Sequence, residues 1–257
     1  MSYRQWRADG FADGESCGCR VADDGLLLDV PTETTAYADS VHGGTDRSYE
    51  YGSWRSPAIA GMSAAAEIVP SWNARTPPGT WVEVALLIGS GADANRYVLG
   101  RWASDSSTIH RTTVPAQHDG LAQVDVDTLV AVGGHDTGFA EYRVEVRLLR
   151  AAGSTASPVL TLVGVMCSTA RPAARAGIDT GPGSAVGSAL DVPAYSQAMH
   201  KGQYRQWASG GASWCSPTAT SMVLGYWKSG PRAADYAWVD SEIADPQVVY
   251  AAAATYD

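Results

Sequence analysis

Residues 141–149, EYRVEVRLL, place an apolar or aromatic side chain at every second position, and WVEVAL (81–86) repeats the pattern. A period of two sends alternate side chains to opposite faces of a strand, so each segment has one dry and one wet face. Turn-forming clusters separate further short apolar or β-branched runs. These are LLLDV (26–30), SYEYGSW (48–54), AAAEIVPSW (64–72), TWVEVALLIG (80–89), RYVLGRW (96–102), AQVDVDTLV (122–130) and VLTLVGVM (159–166). The 27 Gly and 13 Pro supply the many turns such short strands need. Nine Trp and twelve Tyr against two Phe favour side chains with an apolar body and a polar handle, suited to half-buried sheet faces. Short strands with one apolar face bury it only by stacking sheet on sheet. Residues 1–168 are therefore expected to form a mainly β, jelly-roll-like antiparallel sandwich.

The character of the chain changes after that. Residues 169–190, TARPAARAGIDTGPGSAVGSAL, are rich in Ser, Ala, Gly and Pro without periodicity and read as a linker. Residues 191–257 are expected to form a separate α+β portion. Within it CSPTATSMVLGYWKSGP predicts a helix that starts at Cys215–Pro217, carries an apolar stripe through Ala219, Met222, Val223 and Tyr226, and stops at Gly230–Pro231. AWVDSEIADPQVVYAAAATYD predicts a second, short helix.

Composition excludes several function classes. The net charge of −9 opposes binding to nucleic acid, which needs a basic face. No apolar run approaches the length needed to span a bilayer. The start MSYRQWRADGF lacks the apolar core of a secretory signal. Cys17 and Cys19 flank one glycine, a spacing too tight for an easy mutual disulfide. The histidines at 42, 110, 118, 135 and 200 are scattered singly, so neither a zinc site nor a cofactor is expected. Asp46, Asp93 and Asp105, expected in loops, lack a calcium-loop pattern.

The chemistry concentrates in DVPAYSQAMHKGQYRQWASGGASWCSPTATSMVLGYW (191–227). Cys215 stands where a glycine-rich loop enters a helix, and Pro217 occupies a first-turn position that needs no N–H donor. A cysteine there faces unpaired backbone N–H groups and the positive end of the helix dipole, both of which favour the nucleophilic thiolate. The backbone N–H of Cys215 can also meet a developing oxyanion. Gln197, eighteen residues upstream, offers a neutral side-chain NH2 as a second oxyanion donor. His200 lies in HKGQY, which reads as an exposed loop, and is a weak candidate for the general base.

The block YSQ…H.GQY..W..GG.SWCSPT..SMVL.YW resembles the papain-like cysteine peptidases related to the bacteriocin-leader-processing type, in their stand-alone actinobacterial branch. YEYGSWRSP, SWNARTPPGTWVEV, RYVLGRWAS and IHRTTVPAQ extend the resemblance through the sandwich. It implies a Cys–His–Asp/Asn peptidase with a glutamine in the oxyanion hole, an acyl-thioester intermediate and a peptide or protein substrate. Cys215 takes the place of the nucleophile and Gln197 that of the oxyanion donor. The family's histidine and orienting residue come later, beyond Asp257, so this chain is expected to be a fragment with little turnover. Many relatives carry Gly where Ser216 stands. Relatives are usually exported, which implies an extracellular setting.

A peptidoglycan stem-peptide hydrolase and a non-catalytic carbohydrate- or cell-wall-binding sandwich are the competing readings. For the second, Trp72 and Trp81 flank a Pro–Gly turn and would have to be exposed as sugar platforms; placement inside the core is the stronger expectation.

Overall fold

A computed structural model describes residues 2–39, 44–91, 94–105, 107–112, 114, 116–132, 138–169, 187, 189–207 and 210–256. His42, Asp93, His135 and most of the expected linker lie outside them. The chain divides into two compact units, Met1–Ala176 and Gly177–Asp257.

Among the described residues the first unit is an antiparallel sandwich of thirteen strands. They are β1 (Ser2–Arg7), β2 (Glu15–Cys17), β3 (Cys19–Ala22), β4 (Gly25–Leu28), β5 (Glu33–Ala38), β6 (Asp46–Arg55), β7 (Ile59–Arg75), β8 (Thr80–Ile88), β9 (Asn95–Trp102), β10 (Ala122–Asp125), β11 (Thr128–Ala131), β12 (Phe139–Ala151) and β13 (Val159–Thr169). One sheet runs β6–β12–β8–β9, with β5 and β2 sharing the outer edge of β6. The other runs β13–β7–β11–β10, with β1 and the β4–β3 hairpin on the far edge of β13. β7 belongs to both: Ile59 and Ala60 pair with β12, whereas most of the strand from Ala65 to Arg75 pairs with β13.

The alternation in β12 and β8 has the expected consequence. Tyr142, Val144, Val146 and Leu148 join Val82, Val84, Leu86 and Ile88 in the core between the sheets. Trp54 is fully buried there, with Trp6 and Phe11 edge-on to its ring at 5.5 and 5.4 Å and its Nε1 donating to Phe11 O at 2.9 Å. Burying one such ring contributes about 4–6 kcal/mol at about 25 cal/mol per Å² over about 150–250 Å². Trp81 is buried in a second cluster with Tyr49, Tyr51, Ala103, Ile109 and Leu149. Trp72 packs against the main core, where a Cβ on Gly100 would meet its ring. Neither tryptophan is an open sugar platform.

Some expectations fail. AQVDVDTLV is not one strand but the hairpin β10–β11, turned at Val126, which takes a left-handed φ of 60°. β1, β2, β3 and β5 were not anticipated. Asp46 opens β6 rather than lying in a loop, and Asp105 accepts from Ser107 N at 2.8 Å.

In the second unit α1 (Cys215–Tyr226) and α2 (Pro246–Tyr256) pack beside a small core of Trp214, Val239, Val248, Val249 and Ala252. α1 starts where expected but ends before Gly230, because Lys228 turns into the left-handed region at φ 53° and Ser229 N bonds back to Leu224 O. Its buried face is also not the expected one. Pro217, Thr218 and Ser221 are buried, whereas Ala219 and Val223 are exposed. Ser221 Oγ bonds Pro217 O at 2.9 Å and Gln247 O at 3.3 Å, so a small polar face lets α2 approach closely. Val248 and Val249 of α2 are fully buried, whereas Trp227, just after α1, is 69% exposed.

Candidate active site

Trp214 sets the start of α1. Its ring is fully buried, its Nε1 donates to Trp207 O at 2.9 Å, and its carbonyl receives Thr218 N at 3.0 Å. With Trp214 anchored inward, Cys215 is an exposed free thiol on the first helical turn. No side chain caps this turn, so no capping group competes with a ligand for its N–H groups. Of the other thiols, Cys17 is exposed, Cys19 is half-buried and Cys167 is buried, and all are free.

Gln197 opens a 3-10 turn, Gln197–His200, and a second 3-10 turn, Gly211–Ser213, leads into Trp214 and Cys215. The two turns are in tight backbone contact. A Cβ on Gly211 would lie 2.5 Å from Gln197 O, 2.5 Å from His200 C and 2.7 Å from His200 O. Gly210 adopts φ 82°, and a Cβ there would lie 2.5 Å from Gln203 O. Only glycine permits this approach, and it is what brings the Gln197 segment to the Cys215 segment across the intervening loop. A third close approach holds DVPAYS against the helix, where a Cβ on Gly225 would lie 2.8 Å from Pro193 Cγ.

His200 is not in an exposed loop. It is fully buried, its ring lies 5.5 Å from that of Trp214, and Nδ1 pairs with Gln203 Oε1 at 3.2 Å. Its Nε2 has no partner, so His200 makes no hydrogen bond to Cys215. The buried Oε1 of Gln197 and Oγ1 of Thr218 are likewise without partners.

Tyr256, at the end of α2, was not singled out from sequence. Its hydroxyl donates to Ser213 O at 3.3 Å. Burial pushes its phenol above the usual range, and the negative potential of the Cys215 sulfur adds to the shift. Tyr256 therefore ties α2 to the loop before Cys215. A tyrosine at the end of an alanine-rich helix carries no motif that could have announced this.

Residues 2–168 match the family described as Peptidase C39 N-terminal domain, in its actinobacterial form. Residues 189–255 match the Peptidase_C39 like family. The chain belongs to the peptidase C39-like family. Cys215 and Gln197 of this C39-like chain both fall within the second match, and the sandwich is the whole of the first. No curated protein matches the chain. A solved structure of TmCBM61 in complex with β-1,4-galactotriose is similar at 7% identity and a TM-score of 0.28, covering 65% of this chain and 90% of that one. A likeness so distant carries no argument. No helix among the described residues is long and apolar enough to cross a membrane, and none of their His, Cys, Asp and Glu side chains cluster in threes as a metal site would need.

Proposed function

We propose that the chain carries the nucleophile half of a cysteine peptidase site, with Cys215 as nucleophile and Gln197 and the Cys215 backbone N–H as oxyanion donors. The observation that supports this is the glycine contact: Gly211 seats the turn leading to Cys215 directly on the turn that carries Gln197. In the acylation step the Cys215 thiolate adds to the peptide carbonyl carbon. The carbonyl oxygen takes the negative charge and is met by the two donors. The intermediate then expels the amine, which takes up the proton that the general base removed from the thiol, and a thioester remains on Cys215. Water attacks the thioester, releasing the acid and restoring the thiol.

This chemistry needs a general base, and His200 does not serve: one of its ring nitrogens is bonded to Gln203 and the other is buried without a partner. The family resemblance assigns the imidazole and its orienting carboxylate or amide to a segment that follows α2 in relatives. We also propose that the protein acts outside the cell, as its relatives usually do; fractionation of the producing organism tests this.

The test is a peptidase assay on the intact gene product. Cys215→Ala is expected to abolish turnover, and Gln197→Ala to lower kcat about 100- to 1000-fold with KM little changed. A peptidyl electrophile is expected to add its mass to the peptide containing Cys215. Turnover surviving in Cys215→Ala refutes the proposal.

A further inference from the structure

On the outward face of the β6–β12–β8–β9 sheet, two glutamates lie beneath a layer of arginines. Glu83 (β8) and Glu145 (β12) are 5% and 0% exposed. Arg96 bridges them, with Nη2 2.7 Å from Glu83 Oε1 and Nε 2.7 Å from Glu145 Oε1. Arg101 holds Glu83 through Nε at 2.8 Å, and Arg55 holds Glu145 through Nε at 2.7 Å. Arg147 lies 3.4 Å from Glu145 and 3.7 Å from Glu83. The sequence explains the convergence. Glu83 and Glu145 occupy outward positions of the alternating strands, and register sets Arg147 opposite Glu83, Arg101 opposite Glu83 and Arg55 opposite Glu145.

Four guanidiniums over two carboxylates leave two positive charges in excess, on a chain whose net charge is −9. The glutamates sit under the layer, while Arg96, Arg101 and Arg147 are 25%, 24% and 27% exposed. Beside Arg55 the layer opens into a pocket of about 410 Å³ lined by Arg55, Arg143, Leu87, Gly89, Gly91 and Ala94, with Glu15. The volume is of the size that takes a small ligand or a few residues of peptide. Arg143 is held there only lightly, donating to the exposed Glu15 carboxylate at 3.1 Å and to Ser56 O at 3.3 Å.

We infer that this arginine layer is a binding site for the carboxylates of an acidic peptide segment, seated from the Arg55–Arg143 pocket across to Arg101. The glutamates fix the guanidiniums of Arg55, Arg96 and Arg101 before the ligand arrives, so little ordering entropy of these side chains remains to be lost on binding, and an arginine fork matches a carboxylate in two hydrogen bonds. From β6 to β9 the layer spans three strand spacings, about 14 Å, which four or five residues of extended peptide cross. A saccharide is disfavoured because the ring faces it would stack on are taken: Arg101 covers Tyr37 at 4.6 Å and Arg147 covers Tyr51 at 4.8 Å. A long polyanion is opposed by the negative charge of the rest of the chain. The choice of a peptide rests on the proposed peptidase function; the anion site itself does not.

The experiment is fluorescence anisotropy of labelled hexaglutamate with the full chain carrying Cys215→Ala, so that catalysis plays no part. Hexalysine and trigalacturonate serve as comparison probes, and each titration is run at 20 and 200 mM NaCl. Hexaglutamate is expected to bind, to weaken at least fivefold at the higher salt, and to weaken at least fivefold with Arg143→Gln. Because Arg143 makes no contact with the buried glutamates, that variant keeps the fold, which thermal unfolding verifies. Absence of hexaglutamate binding, or binding unchanged by Arg143→Gln, overturns the inference. Preference for trigalacturonate makes the site one for an acidic saccharide and overturns the peptide assignment. None of these outcomes depends on whether Cys215 is a nucleophile.

Discussion

Replacing Gly211 with alanine tests the contact on which the proposed active site depends. The new Cβ would begin 2.5 Å from Gln197 O and His200 C and 2.7 Å from His200 O, all of them backbone atoms that no rotamer change can move aside. Restoring ordinary contact at 3.4 Å separates the two turns by about 0.7–0.9 Å, and overpacking of this kind costs about 1–3 kcal/mol. Gly211 does not adopt a left-handed φ, so alanine also stiffens the unfolded chain, returning about 0.4–1 kcal/mol. The net loss is about 0–2.6 kcal/mol, at most about 70-fold in the unfolding equilibrium at tenfold per about 1.4 kcal/mol. Gly230→Ala is the matched control: its nearest heavy atoms would be 3.9 Å away, so neutrality or a slight gain is expected. Urea unfolding followed by hydrogen exchange in α1 and α2 reads stability, and kcat of the intact gene product reads the displacement of Gln197, with KM less affected. If Gly211→Ala and Gly230→Ala share one urea midpoint and one kcat, the turns do not hold each other and the argument for the site fails.

Other perturbations have equally definite outcomes. Iodoacetamide followed by peptide mass mapping is expected to label Cys215 and Cys17, both exposed, and to spare the buried Cys167 and Cys19, whose thiol burial pushes up to about 12; rapid labelling of Cys19 in the folded chain counts against the sandwich packing. Glu145→Gln removes the carboxylate shared by Arg55, Arg96 and Arg147 and is expected to cost about 3–5 kcal/mol, the loss typical of a broken buried pair. Burial opposes ionisation of Glu145 and Glu83, yet their arginines outweigh it and hold both carboxyls below the ordinary value of 4.5. Groups with depressed folded pKa contribute their stability above the unfolded value and lose it as pH falls through the folded one. The sandwich is therefore expected to lose stability on acidification below about pH 4.5, with a shallower acid limb in Glu145→Gln; identical limbs in chemical denaturation would show that the network is not ionised.

The sandwich was legible wherever burial on one face enforces alternation, as in β8 and β12. It was illegible at its margins. β1 has the pattern SYRQWR, with Trp6 alone buried, and β5 exposes every second residue of ETTAYA without an apolar partner set. Such strands exist because a neighbour supplies hydrogen bonds, which leaves no hydropathy trace. The misread segment AQVDVDTLV alternates straight through its own turn, and only the positive φ at Val126, an uncommon conformation for a β-branched residue, breaks it. These are errors of edge and turn, where solvent accepts either reading.

The errors in the second unit have a different cause. Hydropathy assigns the buried stripe of α1 to Ala219 and Val223, but the fold buries Pro217, Thr218 and Ser221. It takes HKGQY for a solvated loop, but His200 is sealed against Trp214. Gly210 and Gly211 belong to what reads as a glycine-rich loop, yet they make some of the closest backbone approaches among the described residues. All of these misreadings fall between residues 197 and 223, the stretch that also holds the unpartnered atoms of Gln197, His200 and Thr218. A sequence selected only for stability would cover an apolar stripe and leave loop glycines slack. Local preference is overruled here toward close backbone approach around one exposed cysteine, and disagreement concentrated in this way is expected of a working site rather than of a scaffold. The resemblance implies Gln197 and Cys215 as a pair, and the glycine contact between their two turns is the observation on which the proposed site rests.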